Sequence, residues 1–427
     1  VAGRPVVCWV REALNSIGAL EQVYVVGHMQ DQVRAALGED VAFVIQEQQL
    51  GPGHAVMQAA PFLESRDGCT LVLVGDAPLI TDATLRAAVD LYESDGYAAI
   101  VITADAEDPT GLGHVVRDQD GNIQAIVEHR DATPLERKIR EINSGMYVFN
   151  TPLLLSALGR IGSQNAQNEY YLTDTISILI GDGHRVGAYK APFEETVGIN
   201  DRVQLAQAAR IMNNRICERH MRAGVTIQDP DGTWIDATVR IGPDSEVLSG
   251  CHLEGDTVIG EDCRIGPDTR LTDVEVGDGV FLERTAAAGC KVGDGSRVGP
   301  YACLRTGTEI GRHCRIGVFV EIDNAKIGDH TQASHLAYVG DANVGSGVVV
   351  GCGSVTANND GNLRQHTEIG DNVFVGSNTV LVAPVEIHEN AYIAAGSTIT
   401  ETVPAGALAL ARERQTVKKN WVRRLPT

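Results

Sequence analysis

Apolar positions follow two different rhythms along the 427 residues. In the second half an aliphatic residue followed by glycine recurs in pairs six residues apart: Ile259-Gly260 and Ile265-Gly266, Val292-Gly293 and Val298-Gly299, Ile310-Gly311 and Ile316-Gly317, Val344-Gly345 and Val350-Gly351, Ile369-Gly370 and Val375-Gly376. A period of six fits neither a helix nor an alternating strand. It suits a chain wound as a triangular prism, in which each short strand forms one face, the aliphatic side chain points to the axis and glycine permits the close backbone approach. The pattern predicts a parallel β-helix. Residues 281–290 and 358–366 break the phase and read as excursions from the coil, where function tends to sit.

The first half alternates short β-branched runs with helical patterns. Residues 23–26, 41–45, 71–74 and 98–103 read as strands, and 30–37 and 82–93 as amphipathic helices, the α/β rhythm of a Rossmann-like domain with a mostly parallel sheet. Leu205, Ala209, Met212 and Ile216 recur at helical spacing over residues 200–222, with Asn200 or Asp201 as N-cap and Gly224 as the stop. The expected organisation is an α/β domain over 1–199, a linker helix over 200–224, the coil over 225–402 and a C-terminal arm over 403–427.

Composition agrees with a narrow aliphatic coil: aromatics make up 5% of a chain that is 43% hydrophobic. A net charge of −21 argues against an extended nucleic-acid footprint. The small basic cluster Lys418, Lys419, Arg423 and Arg424 reads either as a solvated tail or as a contact for a phosphate-bearing ligand. Nine cysteines without a C-x-x-C pair argue against a zinc cluster and fit reduced thiols in a cytosolic protein. No apolar run approaches the ~18 residues of a membrane span, and the start lacks the form of a signal peptide. The chain therefore reads as cytoplasmic, with no membrane partner.

In α/β sheets ligands bind beyond the carboxyl ends of strands. Two such places carry candidate chemistry: Gly75-Asp76-Ala77-Pro78-Leu79 after one strand, and the glycine loop Gln46-Glu47-Gln48-Gln49-Leu50-Gly51-Pro52-Gly53-His54-Ala55 after another. Taken alone, Asp76 is either a ligand-facing carboxylate or a helix cap.

Together with Asp108-Pro109-Thr110-Gly111-Leu112-Gly113, Ile126-Val127-Glu128-His129, Glu141-Ile142-Asn143-Ser144-Gly145, the stretch 165–174, Gly198-Ile199-Asn200-Asp201-Arg202 and, in the coil, Ser334-His335-Leu336-Ala337-Tyr338-Val339-Gly340-Asp341, these motifs resemble one bacterial family over nearly the whole chain. It is the bifunctional N-acetylglucosamine-1-phosphate uridyltransferase and glucosamine-1-phosphate N-acetyltransferase family of cell-wall precursor synthesis. The resemblance implies a nucleotidyltransferase domain followed by a left-handed β-helix of hexapeptide repeats, assembled as a homotrimer. It implies acetyl transfer from acetyl-CoA to glucosamine-1-phosphate, then uridyl transfer from UTP with release of pyrophosphate and Mg²⁺ as cofactor. Gln46 and Gly51 would contact uracil, Gly113, Glu128 and Asn143 the acetylated sugar, and Asp76 with Asn200 would ligate Mg²⁺, a donor pair suited to a hard cation. In the coil His335 would be the general base, a role that suits an imidazole, the side chain that exchanges protons most readily near neutral pH. Arg305 and Tyr338 would bind the sugar phosphate, Glu321 would sit near the sugar, Asn358 would orient the attack and Ser377 would donate to the oxyanion. Ala395 and Arg412 would contact coenzyme A.

The chain departs from the family pattern in places. The family's first strand, its L-x-A-G-x-G-T-R-M loop and the lysine that follows would precede Val1, so little uridyltransferase turnover is expected of the chain as given. His114 stands where many members carry arginine and Pro52 where threonine is usual. Around the expected sugar phosphate, Asp323 replaces a lysine, Val349 an asparagine, Asn359 a tyrosine and Thr306 a proline. A carboxylate for an ammonium turns attraction into repulsion, each up to about 4 kcal/mol at contact with an effective dielectric near 20, so Asp323→Lys is expected to raise acetyl transfer roughly tenfold. These departures keep two other readings open: an acyltransferase with a changed acceptor, and a regulatory or scaffold relative.

Overall fold

The computed structural model describes residues 1–427 apart from 20, 39, 65, 420 and 422–427. Two compact units divide after Met212.

The first unit contains α1 (Val6–Ser16), β1 (Val23–Val26), α2 (Gln30–Leu37), β2 (Ala42–Ile45), α3 (Pro52–Leu63), β3 (Cys69–Val72), α4 (Asp82–Asp95), β4 (Ala99–Asp105), β5 (His114–Arg117), β6 (Ile123–Val127), β7 (Glu141–Asn150), α5 (Thr151–Leu158), α6 (Asp174–Gly181) and β8 (Val186–Lys190). The order in the main sheet is β6-β5-β7-β4-β8, with β3 also on β7. Side chains on β4 and β7 alternate between two cores. Ala99, Val101, Tyr147 and Phe149 join Leu154, Ile176 and Leu179, whereas Ile100, Ile102, Met146 and Val148 join Leu85 and Val10. Both faces of β4 are therefore covered, which is why it reads as an unbroken apolar run.

The parallel arrangement expected from the sequence holds for β1 with β2 and for β4 with β8. Around β7 the sheet is antiparallel, because this strand pairs with β3, β4 and β5 in that sense. The strand expected over 71–74 lies two residues earlier, since Gly145, at φ 76°, turns β7 away just where a Cβ would meet Val74. Helix ends follow local chemistry. The Thr81 side chain accepts from the Thr84 amide at 3.2 Å to start α4, and left-handed Gly96 ends it. Pro52, one of the departures, occupies the first turn of α3, where its missing N–H costs nothing. The helix expected from 200 is α7 (Arg202–Arg222), and the Asp201 carboxylate caps it by accepting from the Gln204 amide at 2.8 Å.

The second unit is a parallel β-helix. Among the described residues its short strands form three sheets of ten, nine and eleven strands. Trp234 pairs with His252, Arg240 with Val258 and Glu246 with Arg264, so three six-residue repeats complete one turn of the coil. Every aliphatic residue of the paired motifs is buried. The following glycines stack coil on coil; a Cβ at Gly293 would come within 2.7 Å of the Gly311 backbone. At one corner acids close the turns, as Asp278 accepts from the Glu261 amide, Asp329 from Arg312 and Asp371 from Ser346. These aspartates are thus committed to turn geometry.

Only one of the two expected excursions leaves the coil. Residues 281–290 stay in register, Phe281 pairing with Arg264 and Ala286 with Arg270 and Cys303, so the broken phase there is a shortened turn. Residues 358–366 do leave it, between strands Val355–Ala357 and Thr367–Ile369.

Two candidate active sites

In the first unit the candidates lie after β2, ahead of β5, after β6 and within β7, where they form two groups, and Asp76 follows β3. The first is the glycine loop. Gln46 Nε2 donates to Gly51 O at 3.2 Å and lies 2.9 Å from His54 Nδ1. The loop is tied to the segment after α5: Gly53 N donates to Tyr170 O and Tyr170 N to Leu50 O, both at 2.8 Å. Gly51 has φ 103°, and a Cβ on it would meet Glu169 and the Tyr170 carbonyl within 2.9 Å. Only glycine permits this approach.

The second group is Gly113, Glu128 and Asn143. The Asn143 amide donates to Gly113 O at 2.8 Å, and a Cβ on Gly113 would lie 3.5 Å from Asn143 and 3.6 Å from Glu128 Oε1. A side chain there would stand against Asn143 Cβ, Ile126 and the Glu128 carboxylate, so glycine keeps open the shallow recess that these three residues border. Asn143 is oriented by the buried Tyr147, whose hydroxyl accepts from Nδ2 at 2.7 Å. Burial raises the Glu128 carboxyl above the usual range, against the Thr173 hydroxyl that donates to it at 3.3 Å. Next door, His114 is fully buried with its ring between Ile139 O at 3.0 Å and His129 Nδ1 at 3.1 Å. The histidine therefore fills an internal, hydrogen-bonded place.

Asp76 follows β3. Its backbone carbonyl accepts from the Ile199 amide at 3.0 Å, which brings Asn200 alongside, and a Cβ on Gly198 would collide with the Asp76 carboxylate at 2.8 Å. Asp76 is exposed to solvent, and the partial desolvation of its carboxyl by the surrounding chain raises its pKa. Among the described residues it has no ion pair, and no cluster of three His, Cys, Asp or Glu side chains is placed to hold a metal. An exposed carboxylate without a counter-cation, with Asn200 following the residue bonded to its backbone, has the donor chemistry of a hard cation that takes its remaining ligands from water and phosphate.

On the coil, His335 ends strand Gln332–His335, exposed and in register with Val318. One corner then climbs coil by coil: Gly353 N donates to Leu336 O, Asn378 N to Cys352 O and Gly396 N to Ser377 O. This ladder aligns His335, Ser377 and Ala395 along one edge, and Ala411, bonded to Thr398, places Arg412 one step beyond. Around the corner, Glu321 and Tyr338 pair in register, and the Arg305 guanidinium bonds to Glu321. Asn358 Nδ2 donates to Asp341 Oδ2 at 2.6 Å and reaches Tyr338 OH at 3.3 Å.

Two residues of this network carried no sequence signal, Asn324 and Arg364, and a third, Asp341, closed the 334–341 motif without an assigned role. Asn324 donates to Asp341 at 2.7 Å, and Arg364 Nη1 lies 3.2 Å from Asp323 and 3.4 Å from Asp341. Burial would raise the Asp341 carboxyl, but the donations from Asn324 and Asn358 and the charge of Arg364 outweigh it and hold the group below the usual range. Asp323 is thus not an uncompensated carboxylate. The repulsion expected from the sequence is met by a loop arginine that no periodic pattern marks. At the chain end, Lys418 sits over the Trp421 ring at 5.2 Å, while Arg423 and Arg424 lie outside the described residues.

The model of the nucleotidyl transferase family matches residues 19–236, and that of the bacterial transferase hexapeptide (six repeats) matches 289–324 and 366–401. A protein of Geobacillus sp. named "Bifunctional protein GlmU" is 48% identical over 426 residues, covering 100% of this chain and 93% of its own length. The protein of the same name from Acetivibrio thermocellus is 49% identical over 423 residues, with 99% and 92% covered. The chain belongs to the GlmU family. As a member it is a transferase with a nucleotidyltransferase domain and a hexapeptide-repeat acetyltransferase domain, a bifunctional enzyme of UDP-N-acetylglucosamine synthesis. No described helix is long and apolar enough to cross a membrane.

Proposed function

We propose that the first unit, with residues 1–199 as its uridyltransferase domain, binds the nucleotide through Gln46 and Gly51 and the acetylated sugar in the recess of Gly113, Glu128 and Asn143. The observation that carries this reading is that recess, where a missing Cβ, an oriented amide and an ionisable carboxylate converge. Glu128 accepts from sugar hydroxyls, Asn143 offers both donor and acceptor, and the Gln46 loop presents backbone groups to a planar base. Asp76 and Asn200 would hold Mg²⁺, which when bound neutralises phosphate charge during phosphoryl transfer. The chain's own contribution is to orient the sugar phosphate and exclude water.

In the coil, His335 takes the proton from the amine of glucosamine-1-phosphate as it attacks the thioester of acetyl-CoA. Arg305 and Tyr338 hold the sugar phosphate, Glu321 lies by the sugar, Asn358 orients the amine, and Ser377 donates to the oxyanion. Ala395 and Arg412, the latter just beyond the coil strand Leu408–Ala409 that extends past the expected boundary at 402, contact coenzyme A. A homotrimer is supported by one sheet face on which Val349, Phe374, Tyr392 and Leu408 stand in register, Phe374 and Tyr392 stacked at 4.5 Å and Leu408 exposed. A net charge of −21 and small-molecule substrates fit a cytoplasmic enzyme with no nucleic-acid partner.

The test is a pair of assays on one preparation: free thiol released from acetyl-CoA with glucosamine-1-phosphate, and Mg²⁺-dependent binding of UDP-N-acetylglucosamine by calorimetry. Saturable thiol release and micromolar to millimolar sugar-nucleotide binding are expected. Thiol release indifferent to the amino sugar would reject the coil assignment, and binding unaffected by Asn143→Ala would reject the recess.

A further inference from the structure

The excursion loop 358–366 is largely self-contained: Asp360 Oδ1 accepts from the Asn362 and Leu363 amides, Asn359 from the Gly361 amide, and Gln365 N closes the loop's root on Asn358 O at 2.7 Å. Next to that root Arg364, bridged to Asn359 across the loop, reaches back to the coil, and its guanidinium meets two carboxylates from different coil segments. Asp323 ends strand Glu321–Asp323 and pairs in register with Gly340, next to Asp341. Both acids are largely covered, their side chains 16% and 9% exposed, while Arg364 keeps 56%. Asp341 in turn holds Asn358.

We infer that Asp323 is a positioning residue of the acetyl-acceptor site, acting through Arg364 to clamp the 358–366 loop and, by way of Asp341, to fix Asn358 beside Tyr338. The inference rests on the acetyl-transfer assignment above. An isolated exposed ion pair would be worth little, but here one arginine bridges two covered acids that share a hydrogen-bond network with the loop root. Removing Asp323 leaves Arg364 a single acid and frees the outer loop. Installing lysine there sets two cations against each other and expels the loop. This reverses the sign expected from Asp323 viewed in isolation.

The test compares the wild type with Asp323→Asn, Asp323→Lys and the double variant Asp323→Lys with Arg364→Glu, by acetyl-transfer kinetics and by hydrogen exchange of peptides covering 358–366. Asp323→Asn should raise the KM for glucosamine-1-phosphate roughly five- to tenfold, leave that for acetyl-CoA within about twofold, and speed exchange in the loop. Asp323→Lys should do more of each, and the double variant should recover only part of the slow exchange, because the carboxylate it places at position 364 pairs with the new ammonium but also faces Asp341. Acceptor kinetics for Asp323→Lys equal to or better than wild type, or loop exchange unchanged across the set, would overturn the clamp. If wild type transfers no acetyl group to glucosamine-1-phosphate, the acceptor assignment fails, yet the exchange arm still decides whether Asp323 holds the loop.

Discussion

The two units use carboxylates in opposite ways. In the nucleotidyltransferase unit Asp76 and Glu128 have no cationic partner among the described residues, and burial raises both. In the coil Glu321, Asp323 and Asp341 are matched to Arg305 and Arg364, and Asp341 is held below the usual range. The first site is built to receive positive charge or hydroxyl donors from outside, and its acids are costly until a ligand arrives. The second has its charges balanced in advance, so an anionic acceptor must compete with internal acids for the arginines. One site stores its selectivity in unmet need, the other in exchange of partners.

The largest effects should break this comparison at its chemical centres. His335→Ala should lower kcat for acetyl transfer by roughly 10² to 10⁴ while acetyl-CoA affinity holds, the range for a lost general base. Stopped-time thiol assays check this, and an unchanged kcat would remove His335 from the chemistry. Asp76→Asn keeps the shape but removes the charge that awaits a cation. In calorimetry with UDP-N-acetylglucosamine present, Mg²⁺ affinity should fall at least about tenfold, with the titration no longer saturating. Calorimetry that finds the same Mg²⁺ affinity in the variant would move the metal elsewhere.

The coil was legible because its period is unusual and its side chains obey it without exception at the paired motifs. The α/β rhythm was legible too, but strand sense was not: nothing local to residues 141–150 says that this strand runs antiparallel to three neighbours. Broken phase proved ambiguous in the same way. It marked a true excursion at 358–366 and a mere shortened turn at 281–290, since a missing pair of residues can be absorbed at a corner. Within the sites, residues in motif stretches such as Gly113, Glu128 and Asn143 do come together. Arg364 stayed hidden, and Asp341 was visible only as the end of a motif, because their importance lies in pairing across coils, a relation that sequence spacing does not display.

A smaller effect separates the two units thermally. A Cβ at Gly53 would come within 2.6 Å of Ile161 and 2.8 Å of the Tyr170 carbonyl. The isoleucine tip can move but the carbonyl is held by the Gly53 amide itself, so Gly53→Ala should cost about 1–3 kcal/mol as overpacking. Calorimetric unfolding should show the α/β transition lowered by several degrees, with sugar-nucleotide binding weakened and the β-helix transition in place. A uniform shift of both transitions would mean that the two units unfold as one.

The smallest effect is a pH dependence, and it sharpens the contrast most directly. A carboxyl raised by burial in the folded state ionises later than in the unfolded chain. The stability linked to Glu128 is therefore present below the ordinary glutamate pKa of about 4.3 and is lost as pH rises through the raised value. A sugar whose hydroxyls need the ionised carboxylate pulls the other way. Binding of UDP-N-acetylglucosamine should weaken as pH falls through the raised Glu128 value, by at most about tenfold per pH unit, with one proton released per ligand bound above the ordinary carboxylate range. Titrations in two buffers of different ionisation heat measure that proton directly. Glu128→Gln should bind more weakly but without the slope. The coil offers the control: with Asp341 held down by Asn324, Asn358 and Arg364, the KM for glucosamine-1-phosphate should owe no change to Asp341 over that window. A proton released by sugar-nucleotide binding to Glu128→Gln as to wild type would place the titrating group elsewhere, Asp76 being the next to test.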